Sequence, residues 1–187
     1  MSFTLDGENV GELVKWIGHD AQIFGGNSGG PLINLDGEII GVNEISFGLG
    51  GAIPGNLAEE VALELIERGT VRRAYVGAII QPLLKGGSER TGALVASVLR
   101  GSPAEAAGLR AGDVVRSING QEVEVRFLED LPEMNAILAA LPIGEEVAVR
   151  VHRNGQPVEL TMVPEERQPA LQPTTEQRLW GLTARDL

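Results

Sequence analysis

The sequence predicts a mainly β protein with a few short helices, and three observations carry that expectation. Two-residue turn signals with glycine in second place, Asp36-Gly37, Asn119-Gly120 and Asn154-Gly155, each separate two alternating or β-branched runs, as in hairpins whose tight turn needs a positive φ. Helical periodicity is confined to short stretches fenced by start and stop residues. No apolar run reaches membrane-spanning length in 187 residues that are 43% hydrophobic, so the chain reads as soluble and globular.

In chain order, the Asp36-Gly37 turn joins residues 31–35 to 38–42. A first helix then runs from a cap at Asn56, with Glu59 three residues on, through Leu57, Val61 and Leu65 on one face, to Gly69. A second is short: Ser102 caps, Pro103 takes the first helical position, Glu105 closes the capping box and Gly108 ends it. The Asn119-Gly120 turn joins residues 114–118 to 121–125. A third helix, roughly 131–141, sets Met134, Ile137, Leu138 and Leu141 along an apolar stripe before Pro142. The Asn154-Gly155 turn joins 147–153 to 156–163, and beyond Glu165 the run from Gln168 to Thr175 has the composition of a linker. These breaks set a boundary near residues 69–73 and divide the chain into 1–69, 70–165 and 166–187. No repeat of fixed period is present.

Composition narrows the function classes. A net charge of −11 leaves no basic stripe to neutralise phosphates, which argues against nucleic-acid partners and anionic membrane surfaces. The chain has no cysteine, which excludes a disulfide framework and thiol catalysis. No metal cluster, phosphate loop or cofactor fingerprint is present. Gly48, Gly50 and Gly51 lack strand-to-helix spacing and read as a loop. The first residues carry neither a basic segment nor an apolar core of signal-peptide length.

Residues 25–31 read Gly-Gly-Asn-Ser-Gly-Gly-Pro. A serine that attacks a carbonyl must stand on a tight loop whose N–H groups converge on the developing oxyanion, and flanking side chains would crowd both substrate and amides. On that reading Ser28 is the nucleophile, the N–H groups of Gly26 and Ser28 form the oxyanion hole, and Gly29, Gly30 and Pro31 turn the chain into the next strand. A glycine-rich turn with an incidental serine fits the bare motif equally well.

Linked blocks add context: Trp16-Ile17-Gly18-His19-Asp20-Ala21, Gly26-Asn27-Ser28-Gly29-Gly30-Pro31-Leu32-Ile33-Asn34, Gly37-Glu38-Ile39-Ile40-Gly41-Val42-Asn43 and Ala52-Ile53-Pro54-Gly55-Asn56. In this order they resemble the Do-like (HtrA, Deg) serine proteases of the trypsin type. The resemblance implies part of a trypsin-like β-barrel over residues 1–69. It also implies a specificity pocket walled by Ala21, Gln22 and Ile23 on one side and Ile45, Ser46 and Phe47 on the other. Neither wall carries a charge, so small to medium aliphatic residues are expected before the cleavage point. The family's catalytic histidine and aspartate have no match here. The chain holds only His19 and His152, and His19 and Asp20, as neighbours on a strand, point to opposite faces and cannot form a relay. Without a base, Ser28 stays a neutral hydroxyl; an oxyanion hole alone supplies about 10³–10⁴-fold over water.

Residues 70–165 resemble the PDZ domain that follows the protease in this family, on Tyr75-Val76-Gly77-Ala78, Gly92-Ala93-Leu94-Val95, the run Ser102 to Leu109, Gly112-Asp113-Val114-Val115 and Ile118-Asn119-Gly120. Such modules add an extended peptide to a sheet edge and hold its terminal carboxylate on loop amides. The resemblance implies that Tyr75, Val76, Gly77 and Ala78 form the carboxylate loop, and that Ile79, Ile80, Met134 and Leu138 line the groove. Met134 and Leu138, lying on a helical stripe, read equally as core residues. Ala78 stands where a bulkier aliphatic residue is usual, which implies a roomier first pocket. Arg72 and Arg73 read as a solvated charge pair. Residues 180–187 resemble the opening strand of a second PDZ domain, and with no first barrel before Ser28 the chain reads as a fragment or partial gene model.

The resemblance thus implies an ATP-independent serine endopeptidase of protein quality control in the cell envelope or periplasm. Unfolded or misfolded polypeptides and apolar C-termini would be its partners, a homo-trimer its assembly, with no cofactor, nucleic acid or membrane insertion. These 187 residues by themselves are expected to be inactive. The alternative is a non-catalytic PDZ scaffold with a protease remnant; a third arrangement has another chain supply the barrel.

Overall fold

Two antiparallel sheets dominate the computed structural model, which describes residues 3–5, 8–46, 48–83, 89, 91–168, 175–177 and 182–184. A hairpin of β1 (Phe3–Leu5) and β2 (Glu8–Val10) comes first. It is followed by β3 (Ile17–His19), β4 (Pro31–Ile33), β5 (Ile39–Ser46) and β6 (Gly50–Pro54), which form one sheet in the order β3-β6-β5-β4. The β4–β5 turn is longer than its Asp36-Gly37 signal predicts. The Asn34 side chain accepts from the N–H groups of Asp36 (3.0 Å) and Glu38 (2.9 Å), an Asx-type competition with strand pairing that leaves the Asn34 N–H on the Glu38 carbonyl (3.0 Å) as the last bond before the turn.

Helix α1 (Gly55–Arg68) leaves β6 without a break. Asn56 is not its cap: Pro54, extended at ψ 139°, occupies that position without a side-chain bond, and Asn56 falls inside the first turn. At the other end Gly69 is left-handed at φ 73° and its N–H reaches the Leu65 carbonyl, the expected stop.

The second sheet is built from β8 (Ala78–Gln81), β9 (Ala93–Val98), β10 (Val114–Ile118), β11 (Gln121–Glu122), β12 (Val147–Arg153) and β13 (Gln156–Met162), after a short β7 (Ala74–Tyr75). Its order is β13-β12-β10-β9-β8, with β11 on β10. Asn119 and Asn154 adopt φ 50° and 53°, each followed by a positive-φ glycine, the primed turns that the asparagine-glycine pairs predict. The strand expected over 121–125 ends at Glu122, because the Val125 N–H crosses to the Gly92 carbonyl. α2 (Pro103–Ala106) is capped by Ser102, whose hydroxyl accepts from the Glu105 N–H; the Glu105 carboxylate reaches back to the N–H of Gly101, one residue before the cap. α3 (Leu131–Ala139) follows a 3₁₀ turn and stops two residues short of Leu141. β14 (Glu165–Glu166) returns to pair with β7. β15 (Thr175–Gln177) and β16 (Leu182–Ala184) form a last hairpin, and Trp180, Gly181 and residues 185–187 lie outside the described residues.

The core belongs to the second sheet. Val95, Val125, Val147 and Val151 are no more than 1% exposed, and the apolar cluster they join runs from Ala74 to Met162. Among the described residues before it, Ala52 is the single buried apolar side chain, while Leu35, Ile66 and Phe24 are open to solvent. α1 buries none of its residues; Leu57, Val61 and Leu65 instead line a cleft of about 780 Å³ whose opposite wall includes Ile137 and Leu141. Polar ties flank this cleft. Glu64 accepts from the Arg72 N–H at 2.9 Å and pairs with Arg73 at 3.0 Å, and Asn135 donates to the Glu12 carbonyl at 2.9 Å. The Arg72 amide, opposed by desolvation and aided by the Arg73 guanidinium, holds the Glu64 carboxyl below its ordinary range.

One buried carboxylate locks the second sheet to its loops. Asp113, 1% exposed, accepts a bidentate pair of bonds from Arg153 at 2.8 Å each and a third from the Arg110 N–H, while Arg153 also donates to the Gly108 carbonyl. Removing one partner of such a pair strands an uncompensated charge, at about 3–5 kcal/mol. Arg153→Ala is expected to lower the urea-unfolding free energy by about 3 kcal/mol; a loss below about 1 kcal/mol, typical of a surface pair, would refute this assignment.

Candidate functional site

Ser28 sits on a glycine turn that is stitched to β5 by its backbone. The turn opens with the Asn27 N–H on the Phe24 carbonyl (3.0 Å) and closes with Gly30 on Asn27 (2.9 Å). Gly29 then donates to the Asn43 carbonyl at 2.7 Å and Asn43 to that of Gly30 at 2.9 Å. Gly26 and Gly29 hold φ 102° and 84°, a region costly for other residues. Among the described residues, no backbone carbonyl accepts from the N–H of Gly26 or Ser28.

The Ser28 hydroxyl is occupied. In the β5–β6 ladder Asn43 faces Ala52 and Ile45 faces Gly51, so Glu44 is the extra residue of a bulge. Bulges leave one residue unpaired, and the Ser28 hydroxyl donates to the Glu44 carbonyl at 3.0 Å. Neither histidine takes that proton. His19 lies on β3 opposite Gly50, where any Cβ would collide with its ring, and both its ring nitrogens are buried without a hydrogen-bond partner. His152 pairs with Glu89 at 3.0 Å. Of the expected pocket walls, Ala21, Gln22 and Ser46 are exposed and Ile23 and Ile45 half-buried; Phe47 lies outside the described residues.

A second arrangement surrounds Gly77, which holds φ 72°. A Cβ there would collide with the Ser102 Cβ and come within 2.9 Å of the Tyr75 hydroxyl, so the segment requires glycine. Its carbonyls turn inward: that of Val76 accepts from Ala104 (2.9 Å) and that of Gly77 from Leu99 (2.8 Å) and the Ser102 hydroxyl (3.4 Å). In a trans peptide the N–H points opposite to the preceding carbonyl. The amides of Gly77 and Ala78 are therefore directed away from Ser102 and Ala104. The Leu99–Gly77 bond also sets the antiparallel phase, so that Ala78, facing Val98, occupies the position whose backbone groups turn away from β9. β8 ends the sheet on this side, leaving a strand edge open to pairing.

The side chains around this edge divide. Ile79 is 54% exposed, whereas Val76, Ile80 and Met134 are buried, Met134 at 2%. Tyr75, Ala78 and Leu138 are half-buried, the last two packed on the core. Ser102 and the Glu44 bulge lie outside the residues that the sequence singles out for these sites; the cap motif marks Ser102, but nothing in the chain signals the bulge. Arg72 and Arg73 are not a free charge pair: they bind Glu166 and Glu64. Among the described residues no cluster of three or more metal-ligating side chains occurs, and no helix is long and apolar enough to cross a membrane.

A family model described as PDZ domain matches residues 69–163. The chain is 42% identical over 178 residues to a probable periplasmic serine endoprotease, DegP-like, of Chlamydia muridarum, covering 84% of this chain and 34% of that protein. It is 40% identical over 150 residues to the similarly named protein of Rhizobium meliloti, covering 73% and 29%. It thus spans about a third of the length of these curated relatives. Among solved structures, HtrA-type protease AlgW with a bound decapeptide superposes with a TM-score of 0.70 at 35% identity, over 87% of this chain and 50% of that one. The serine endoprotease from Yersinia pestis gives 0.62 at 32%, over 82% and 52%.

Gly77→Ala is expected to lower the unfolding free energy by more than the 1–2 kcal/mol, roughly, of a left-handed alanine, because the Ser102 contact adds to it. Equal stability of variant and parent in urea denaturation would show that the contact is not tight.

Proposed function

Because the chain belongs to the PDZ-domain family and is an HtrA/DegP-like protein across both of its sheets, we propose that residues 70–165 form a clamp for the free C-termini of extended apolar peptides. In this reading a peptide adds to β8 as a further strand. Its carboxylate is received by the amides of Val76, Gly77 and Ala78 beside Tyr75, while Ile79, Ile80 and Leu138 border the groove over a floor that includes Met134. The inward carbonyls of Val76 and Gly77 carry the reading, since they direct the neighbouring amides toward the open edge. The similarity to proteases solved with bound peptides supports it.

Residues 1–69 are proposed to be the protease part, with Ser28 the nucleophile of a periplasmic serine endopeptidase, as the names of the relatives suggest; unfolded polypeptides are its proposed substrates. Gly26 and Ser28 supply the oxyanion amides, and Ala21, Gln22, Ile23, Ile45, Ser46 and Phe47 border an uncharged pocket for aliphatic residues. Residues 166–187 link onward to a second PDZ-like strand. Among the described residues no base meets the Ser28 hydroxyl, which donates to the Glu44 carbonyl instead. This polypeptide alone is therefore a silent peptide binder, and proteolysis requires a histidine from polypeptide outside it; a homo-trimer is the proposed assembly of the intact enzyme.

Two measurements test these readings. A peptide ending in a free apolar carboxylate is expected to bind at least about tenfold tighter than its amidated twin, the 1.4 kcal/mol or so of one charge-assisted hydrogen bond; equal affinity removes the carboxylate loop. A fluorophosphonate probe is expected to leave the purified chain unlabelled. Labelling that vanishes in Ser28→Ala would overturn the silent reading.

A further inference from the structure

We propose that Ser102, the N-cap of α2, is a positioning residue for the carboxylate loop, holding the peptide plane between Gly77 and Ala78 in its receptive orientation. The inference rests on the carboxylate reading above and extends it to a residue outside the groove. Three bonds tie residues 76–77 to the segment 99–104, and two of them come from backbone N–H groups, of Leu99 and Ala104. The third is the Ser102 hydroxyl, the single contribution that a side chain makes and that a substitution can remove.

That hydroxyl works in two directions. It accepts from the Glu105 N–H at 3.2 Å, which caps α2, and donates to the Gly77 carbonyl at 3.4 Å, which braces the loop. Ser102 is 3% exposed, so water cannot readily replace it as the donor. The brace has a target that needs one. Glycine at positive φ has little steric preference of its own, and rotation of the plane between residues 77 and 78 would turn the Ala78 N–H inward and present the Gly77 carbonyl to an incoming carboxylate. Two oxygens would then face each other where an N–H should donate. A second donor on the Gly77 carbonyl opposes that rotation, so the capping hydroxyl of a four-residue helix sets the sign of the potential that the peptide end meets.

A positioning role predicts a loss confined to the carboxylate, which separates it from simple destabilisation. The readout is the ratio of affinities for a free-acid peptide and its amidated twin, measured by calorimetry on the full chain. Ser102→Gly keeps a residue tolerated at an N-cap and removes the donor; Ser102→Cys keeps the size and leaves only a weak donor. Both are expected to lower the ratio by about tenfold while binding of the amidated peptide stays unchanged, and Ser102→Thr, which retains the hydroxyl, is expected to restore it. A ratio equal to the parent's in either folded variant overturns the positioning role and leaves the carboxylate loop standing. A parent ratio of one overturns the loop itself, and with it this inference.

Discussion

The closed apolar interior between Ala74 and Met162 is the constraint on which the remaining features lean. Side chains such as Val125, Val147 and Val151 are almost wholly removed from water there, and burial of that kind is the main favourable term in folding. It fixes the sheet that ends in β8 and the segment 99–104 that braces Gly77. The earlier sheet has no comparable interior: Ala52 alone is buried among its described apolar side chains, and Leu35 stands fully in solvent. It is joined to the second sheet through Glu64 with Arg72 and Arg73, and through Glu12 with Asn135.

Two serines illustrate what a backbone carbonyl can do to a hydroxyl. Ser28 donates to Glu44, whose carbonyl is free because a bulge interrupts the ladder. In the proposed role of Ser28, that bond engages the proton that a base would have to take. Ser102 donates to the carbonyl of Gly77, within the loop proposed to receive a peptide end. Both arrangements depend on glycine, since at Gly29 and Gly77 the chain follows a left-handed course that other residues adopt only with strain.

Much of this was legible from local chemistry. Asn119-Gly120 and Asn154-Gly155 specify primed turns because asparagine and glycine tolerate positive φ, and Ser102-Pro103 with Glu105 specifies a helix start. The start of α1 was not, because Pro54 and Gly55 bring the chain into the helix one residue before Asn56 can cap it. The β4–β5 turn departs from its Asp36-Gly37 signal because Asn34 offers its side chain to two amides. Of the site, Ser28 and Gly77 stood out as motifs, whereas the Glu44 bulge depends on register between strands. Whether Met134 faces solvent or core is likewise not encoded in its helical stripe, which both outcomes share. The Glu12–Asn135 bond joins residues 123 positions apart, a separation at which no local pattern speaks.

The pairing of β7 with β14, continued by the Arg167 N–H on the Arg73 carbonyl at 2.8 Å, brings the two ends of the second sheet's domain side by side. A module whose incoming and outgoing strands are neighbours can be excised, duplicated in tandem or grafted between two other segments without stretching either of them. Recombination could therefore lengthen a protein of this type one bead at a time, each bead folding on its own interior.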